Sequence, residues 1–411
     1  MLLSLALIFL AGLSAAAVFE RLRLPRIVGM LFVGVALGPY ALDLLDPSVL
    51  GVSAELRQMA LVIILLKAGL SLDPADLKRV GRPAVLMSFV PASFEIVGYI
   101  LLAPLLLGVS RTEAAVMGAV LAAVSPAVVV PRMLRLMEEK RGTEKSIPQL
   151  IMAGASCDDV FVIVLFSTFS GMARGGEADI RSLASIPVSI LLGVALGALS
   201  GLALSLFFEA EYAHGRPVRN SMKAIVILGA AFLLTAAETL LKNTVALSGL
   251  LAVVSMACAL KCKSPASVTG RLSEKFGRLW LAAEVILFVL VGAAVDIRYT
   301  LGAGASAVGM ILLALAFRSV GVAVCLIGTP LSVGERLFCI IAYLPKATVQ
   351  AAIGSVPLAM GLACGSIVLS VAVLGILITA PLGAIGIDAG CRRLLSQESG
   401  GSVRRAEKQA L

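Results

Sequence analysis

Apolar residues run through this chain in long blocks, with polar residues confined to short gaps between them. A helix needs about 20 apolar residues to cross a bilayer. Thirteen windows meet that pattern: roughly 2–19, 27–46, 54–70, 82–107, 112–137, 146–173, 180–208, 220–240, 244–260, 270–297, 303–327, 334–360 and 364–394. No gap exceeds about 20 residues, which is too short for a separate domain to fold. The pattern predicts an all-α polytopic membrane protein, one transmembrane domain over 1–395 followed by a cytoplasmic tail at 396–411.

Composition agrees. The chain is 59% hydrophobic and 14% charged, against roughly 25% charged residues in soluble domains. A net charge of +9 would raise nucleic acid as a partner of a soluble protein, but basic gaps in a membrane protein report topology. With the N-terminus outside, 25 of the 34 Lys and Arg residues fall in inside gaps and 6 in outside ones. That bias predicts an odd number of spans in a cell membrane, with the C-terminus cytoplasmic. The first block lacks a basic start and is followed by Arg21, Arg23 and Arg26, so it reads as a retained helix rather than a leader. Seven scattered cysteines read as small hydrophobes. Cys258 and Cys262 lie one turn apart, with no second pair or nearby histidine to complete a metal site. His214 sits in a basic gap and reads as solvated. No catalytic residue, enzyme activity, cofactor or nucleic-acid partner is expected.

Two spans are interrupted. The fifth contains Ser125-Pro126-Ala127-Val128-Val129-Val130-Pro131, whose prolines free the carbonyls of Ala122 and Ala127. The twelfth contains Tyr343-Leu344-Pro345-Lys346-Ala347-Thr348, with Pro357 beyond. In lipid, freed backbone groups must find partners or line a cavity. An offset of seven spans reverses orientation, so spans four to six and eleven to thirteen read as inverted repeats. Paired broken helices of this kind point to a transporter site; ordinary proline kinks are the plainer alternative.

Ionisable residues well inside spans are few: Glu95, Asp158, Asp159, Glu284, Arg318 and Lys346. Lys67 and Glu238 lie nearer span ends and are expected to snorkel to an interface. Glu284 either reaches inward or faces a cavity. Charges in mid-membrane are costly and mark function. Asp158 and Asp159 are consecutive and point about 100° apart on a helix, so one can face a cavity and the other the breaks. Two such carboxylates in low dielectric resist joint ionisation, which lets one trade a proton for a cation. Hard cations want oxygen ligands: the freed carbonyls, Ser125, Ser156 and Thr348 are candidate supporting ligands. Lys346 would offset the negative ends of half-helices or pair with an aspartate. Glu95 and Arg318 occupy equivalent places in the two repeats and are expected to form a buried structural pair.

At these residues the chain resembles the monovalent cation/proton antiporter superfamily, and more narrowly its NHA-type sodium/proton exchangers. The matching stretches are Ser125–Pro131 (SPAVVVP), Glu144–Asp159 (EKSIPQLIMAGASCDD), Leu344–Ser355 (LPKATVQAAIGS), Leu377–Pro381 (LITAP) and Ile27–Pro39 (IVGMLFVGVALGP). The resemblance implies a homodimer, a scaffold of helices at roughly 2–70 and 180–297, and a core at roughly 82–173 and 303–394 with two crossing broken helices. It implies elevator-like movement of that core. It implies that Asp159 is the main ion and proton carboxylate, holding Na⁺ with support from Asp158. Three positions depart from the family pattern. Val124-Ser125-Pro126 stands where Thr-Asp-Pro is common, Arg318 where lysine is common, and Lys67 where relatives tend to have Glu.

The expected activity is therefore exchange of Na⁺ or Li⁺ for H⁺ by alternating access. Arginine does not give up its proton, so Arg318 leans the reading to one-for-one, electroneutral exchange, although paired aspartates also occur in electrogenic members. The alternatives are a K⁺/H⁺ antiporter, a sodium-coupled organic-anion transporter or a channel.

Overall fold

The computed structural model describes residues 1–22, 24–71, 81–174, 180–216, 218–241, 247–296 and 304–396. Arg23, Lys78, Arg79, Lys242, Arg298 and the tail with Arg404, Arg405 and Lys408, which enter the topology count, lie outside the described residues. So do the side chains of Ser156 and Arg181.

The regular elements among the described residues are all helices. The first three expected spans appear as α1 (Leu2–Arg21), α2 (Arg26–Leu37) and, after a one-turn α3 (Pro47–Gly51), α4 (Ser53–Ser71). α5 (Arg82–Met87) and α6 (Val90–Leu107) make the fourth; α7 (Arg111–Leu121) and α8 (Pro126–Glu138) are the two halves of the fifth. α9 (Ile147–Arg174), α10 (Ile180–Ala213), α11 (Asn220–Leu241), α12 (Gly249–Lys263), α13 (Ala266–Ala293) and α14 (Gly304–Cys325) are the sixth to eleventh. The twelfth is split into α15 (Val333–Ala342), α16 (Thr348–Gly354) and a final turn α17 (Val356–Ala359), and α18 (Gly365–Leu394) is the last.

Among the described residues, nine helices are long and apolar enough to span a membrane. The count of thirteen is not reached by length, and the four shortfalls have physical causes. α2 stops at Leu37 because Gly38-Pro39 follows and proline cannot continue the ladder. α4 carries Glu55, Arg57 and Lys67 within one span. α12 has 15 residues, and the twelfth span is broken in two.

Both broken helices start from the same signal. Ser110 and Glu113 form a reciprocal capping box at α7, and Ser332 and Glu335 form one at α15. The Ser-x-x-Glu motifs lie 222 positions apart, as do Pro126 and Thr348, the first residues of the second halves. The opening helices of the repeats, α6 and α14, pack closely along one another. A Cβ on Gly98 would meet Phe317 at 2.9 Å, and a Cβ on Gly321 would meet Pro91 at 2.8 Å and Phe94 at 3.2 Å. Position i of one helix thus meets j of the other, and j meets i, which is what a twofold relation produces. Glu95 and Arg318 sit in the same register as Phe94 and Phe317. The sequence reading of inverted repeats with crossing broken helices holds.

Candidate functional site

The two breaks cross and bond to each other. Ser125 N–H donates to the carbonyl of Pro345 at 2.8 Å. The C-terminal ends of α7 and α15 meet here, each presenting carbonyls without helical partners. Arg318 reaches both ends: Nε donates to Tyr343 O at 2.6 Å, and Nη1 donates to Ala122 O. Lys346 Nζ donates to Leu121 O. Gln350 Nε2 donates to Ala123 O at 2.8 Å and to Leu121 O at 3.3 Å. Cationic side chains therefore sit on the negative ends of both half-helices. The carbonyl of Ala122, expected to be free for a cation, is occupied by Arg318. The Ala127 carbonyl's residue lines a cavity.

The same cations hold two carboxylates. Arg318 Nη1 pairs with Glu95 Oε2 at 2.9 Å and Nη2 with Asp158 Oδ2 at 2.9 Å. Lys346 Nζ pairs with Glu95 Oε1 at 2.7 Å. Asp158 Oδ2 also accepts Val124 N–H at 2.9 Å. All four side chains are 0% exposed. Two positive and two negative groups make a quartet of zero net charge, the condition for burying such groups without a large penalty. The expected Glu95–Arg318 pair is present, with more partners than a simple pair. Lys346 finds Glu95 and not an aspartate. The guanidinium also lies over the Tyr343 ring, 5.5 Å from its centroid.

Asp159 stands apart from this quartet. It is 7% exposed, its Oδ1 has no hydrogen-bond partner among the described residues, and it lines a cavity of about 1430 Å³. Thr348, Pro126, Ala127, Cys157 and Gln149 share that wall. The 100° offset of consecutive helical residues has thus sent Asp158 to the breaks and Asp159 to the cavity. Ser125 is fully buried with an Oγ lacking a partner among the described residues; it does not line the cavity. The Ser156 side chain lies outside the described set. Glu284, paired with Arg26, and Lys67 line the same cavity. The Glu238 carboxylate accepts Gly249 N–H at 2.9 Å at the start of α12.

Two further residues belong to this region that were not among the expected site residues. Gln350 lies one turn beyond Lys346 in an otherwise apolar run, so a buried amide there was a usable signal. Thr379 accepts the backbone N–H of Lys346 at 2.9 Å; it lies in the Leu377–Pro381 stretch that carries the family resemblance, but its residue type alone did not mark it as a partner of the break.

Comparisons with known proteins agree with this geometry. Residues 5–389 match the family model described as sodium/hydrogen exchanger, transmembrane. The chain is 32% identical over 364 residues to sodium/hydrogen exchanger 9B2 of Xenopus tropicalis, covering 85% of this chain and 66% of that protein. It is 35% identical over 362 residues to the Homo sapiens protein of the same name, covering 84% and 65%. The chain thus spans just under two thirds of the length of these relatives. In three dimensions it superposes on the sodium proton antiporter MjNhaP1 of Methanocaldococcus jannaschii with a TM-score of 0.77, at 21% identity, covering 95% of this chain and 97% of that one. At that identity the likeness speaks for the fold alone.

Proposed function

The chain belongs to the sodium/hydrogen exchanger family, and from that premise we propose that it exchanges Na⁺ or Li⁺ for H⁺ across a cell membrane at Asp159. The carrying observation is the separation of the two aspartates. Asp158 is tied to Arg318 and Val124 N–H, whereas Asp159 faces the cavity with no ion pair among the described residues. A carboxylate so placed holds either a proton or a cation but not both, which is the requirement for exchange. Thr348, on the cavity wall, and Ser125, whose buried Oγ has no partner among the described residues, are the candidates for supporting oxygens, and Asp158 with Glu95, Arg318 and Lys346 sets the field around the site.

Glu20, Arg26, Arg132, Arg135, Arg392 and Arg393 are among the residues lining the cavity. These belong to the basic gaps that the positive-inside rule assigns to the cytoplasm, so the site is read as open inward. In the cycle, bare Asp159 binds a cation on one side, the core carries it past a dimeric scaffold, and a proton replaces it on the other. Arg318 stays charged throughout, which favours one cation per proton.

The test is purified protein in liposomes, with an internal pH dye and Na⁺, Li⁺ or K⁺ added outside. Na⁺ or Li⁺ should drive proton movement, and Asp159→Asn should abolish it; exchange that persists in the variant overturns the assignment. Rates that ignore an imposed membrane potential support one-for-one exchange, and a clear response overturns it.

A further inference from the structure

The two repeats solve one backbone problem with different side chains. Each break exposes an N–H two residues before its second half-helix: Val124 before Pro126, and Lys346 before Thr348. Val124 N–H donates to Asp158 Oδ2 at 2.9 Å, 34 residues on; Lys346 N–H donates to Thr379 Oγ1 at 2.9 Å, 33 residues on. Asp158 lies on α9 and Thr379 on α18, the third spans of their repeats. The two acceptors are therefore counterparts. In the first repeat the acceptor is charged because it also pairs with Arg318. In the second, Lys346 pairs with Glu95 from the side, so a neutral hydroxyl suffices.

We propose that Thr379 is a positioning residue for the cation site, holding the second break as Asp158 holds the first. It is 1% exposed and does not line the cavity, so it acts through the chain it grips. Lys346 N–H is fixed by the Thr379 hydroxyl, and that residue's ammonium is thereby set on Glu95 and the end of α7. Two residues on, Thr348 begins α16 and lines the same cavity as Asp159. Without the hydroxyl, a buried N–H is left unpaired, and the segment from Lys346 to Thr348 loses its fixed place in the cavity wall that Asp159 also lines. The proposal rests on the reading of Asp159 as the exchanging carboxylate.

Thr379→Val removes the hydroxyl and keeps the shape; Thr379→Ser keeps the hydroxyl. Both are compared with the unmodified protein for Na⁺ KM and maximal rate in liposomes, and for deuterium uptake in a peptide containing residues 343–348. Valine should raise the KM about tenfold with the maximal rate changed less, and should speed deuterium uptake at Lys346. Serine should restore both to within about twofold. Valine and serine variants that behave alike overturn the proposal, as does faster uptake without a change in KM, which would leave Thr379 a purely structural cap. An unmodified protein that shows neither Na⁺- nor Li⁺-driven exchange overturns the proposed function, and this proposal with it; that outcome is distinct because it appears before any substitution is made.

Discussion

Ser125 N–H and the Pro345 carbonyl are hydrogen-bonded at 2.8 Å, backbone to backbone, where the two broken helices cross. The bond consumes the Ser125 amide but leaves its hydroxyl, which is buried and has no partner among the described residues. Ser125→Ala therefore removes a polar atom without orphaning another. Thermal stability should be unchanged or slightly raised, because a buried hydroxyl without a partner is removed, while the Na⁺ KM should rise several-fold if the hydroxyl ligates the cation. Melting curves and liposome exchange on the same preparation separate the two effects; an unchanged KM removes Ser125 from the ligand set.

Under the proposed exchange, competition for one carboxylate would fix the pH behaviour. As pH falls, more of the Asp159 population would be protonated and unavailable to Na⁺, so apparent Na⁺ affinity should fall while the rate at saturating Na⁺ should not. In the acid limit the KM should rise about tenfold per pH unit, the slope of a single competing proton. KM measured across a pH series with equal pH on both sides checks this, and a flat KM would exclude a shared site.

Glu95 holds two cations at once. Glu95→Gln should leave Arg318 and Lys346 with one buried carboxylate between them and cost about 3–5 kcal/mol of stability. Pairing it with Lys346→Gln removes the surplus charge and should recover a sizeable part of the loss. A double-mutant cycle read by thermal melting tests the coupling; additive losses would show that the quartet does not act as a unit.

Gly154 lies one turn before Asp158, and a Cβ there would overlap the Tyr343 hydroxyl. Gly154→Ala should push α9 away from the second break and cost about 1–3 kcal/mol. Tyr343 Oη has no hydrogen-bond partner among the described residues, so Tyr343→Phe should be tolerated and should rescue Gly154→Ala. Melting temperatures of the two single variants and the double variant decide it.

Depth in the membrane was legible from sequence; direction around a helix axis was less so. The apolar blocks, the prolines at 126, 131 and 345, and the mid-span Asp158, Asp159, Glu95 and Arg318 are positions along the axis, and hydropathy reports those directly. The equivalence of Glu95 and Arg318 was also readable, because repeats conserve register. Lys346 was harder: whether it meets Glu95 or an aspartate depends on how two half-helices rotate at their crossing, which no periodicity in a break encodes. Apolar content does not say where a helix stops, so the short and broken spans among the thirteen are not distinguished from full-length ones in the sequence. Glu238 and Lys67 were assigned by distance to a span end, whereas a helix N-terminus in one case and a cavity in the other determine their surroundings.

The balanced quartet also bears on leakiness. Its four charges cancel, so under the proposed exchange the electrical state of the travelling core is set by Asp159 alone. Loaded with a proton or a monovalent cation, the core is neutral; empty, it carries one bare negative charge. Dragging an uncompensated charge through hydrocarbon costs several kcal/mol, so the empty carrier is the one that stalls. Return without cargo would be suppressed by electrostatics rather than by a gate. Substitutions that unbalance the quartet by a single positive charge would make the empty core neutral, and would turn a coupled exchanger into one that slips.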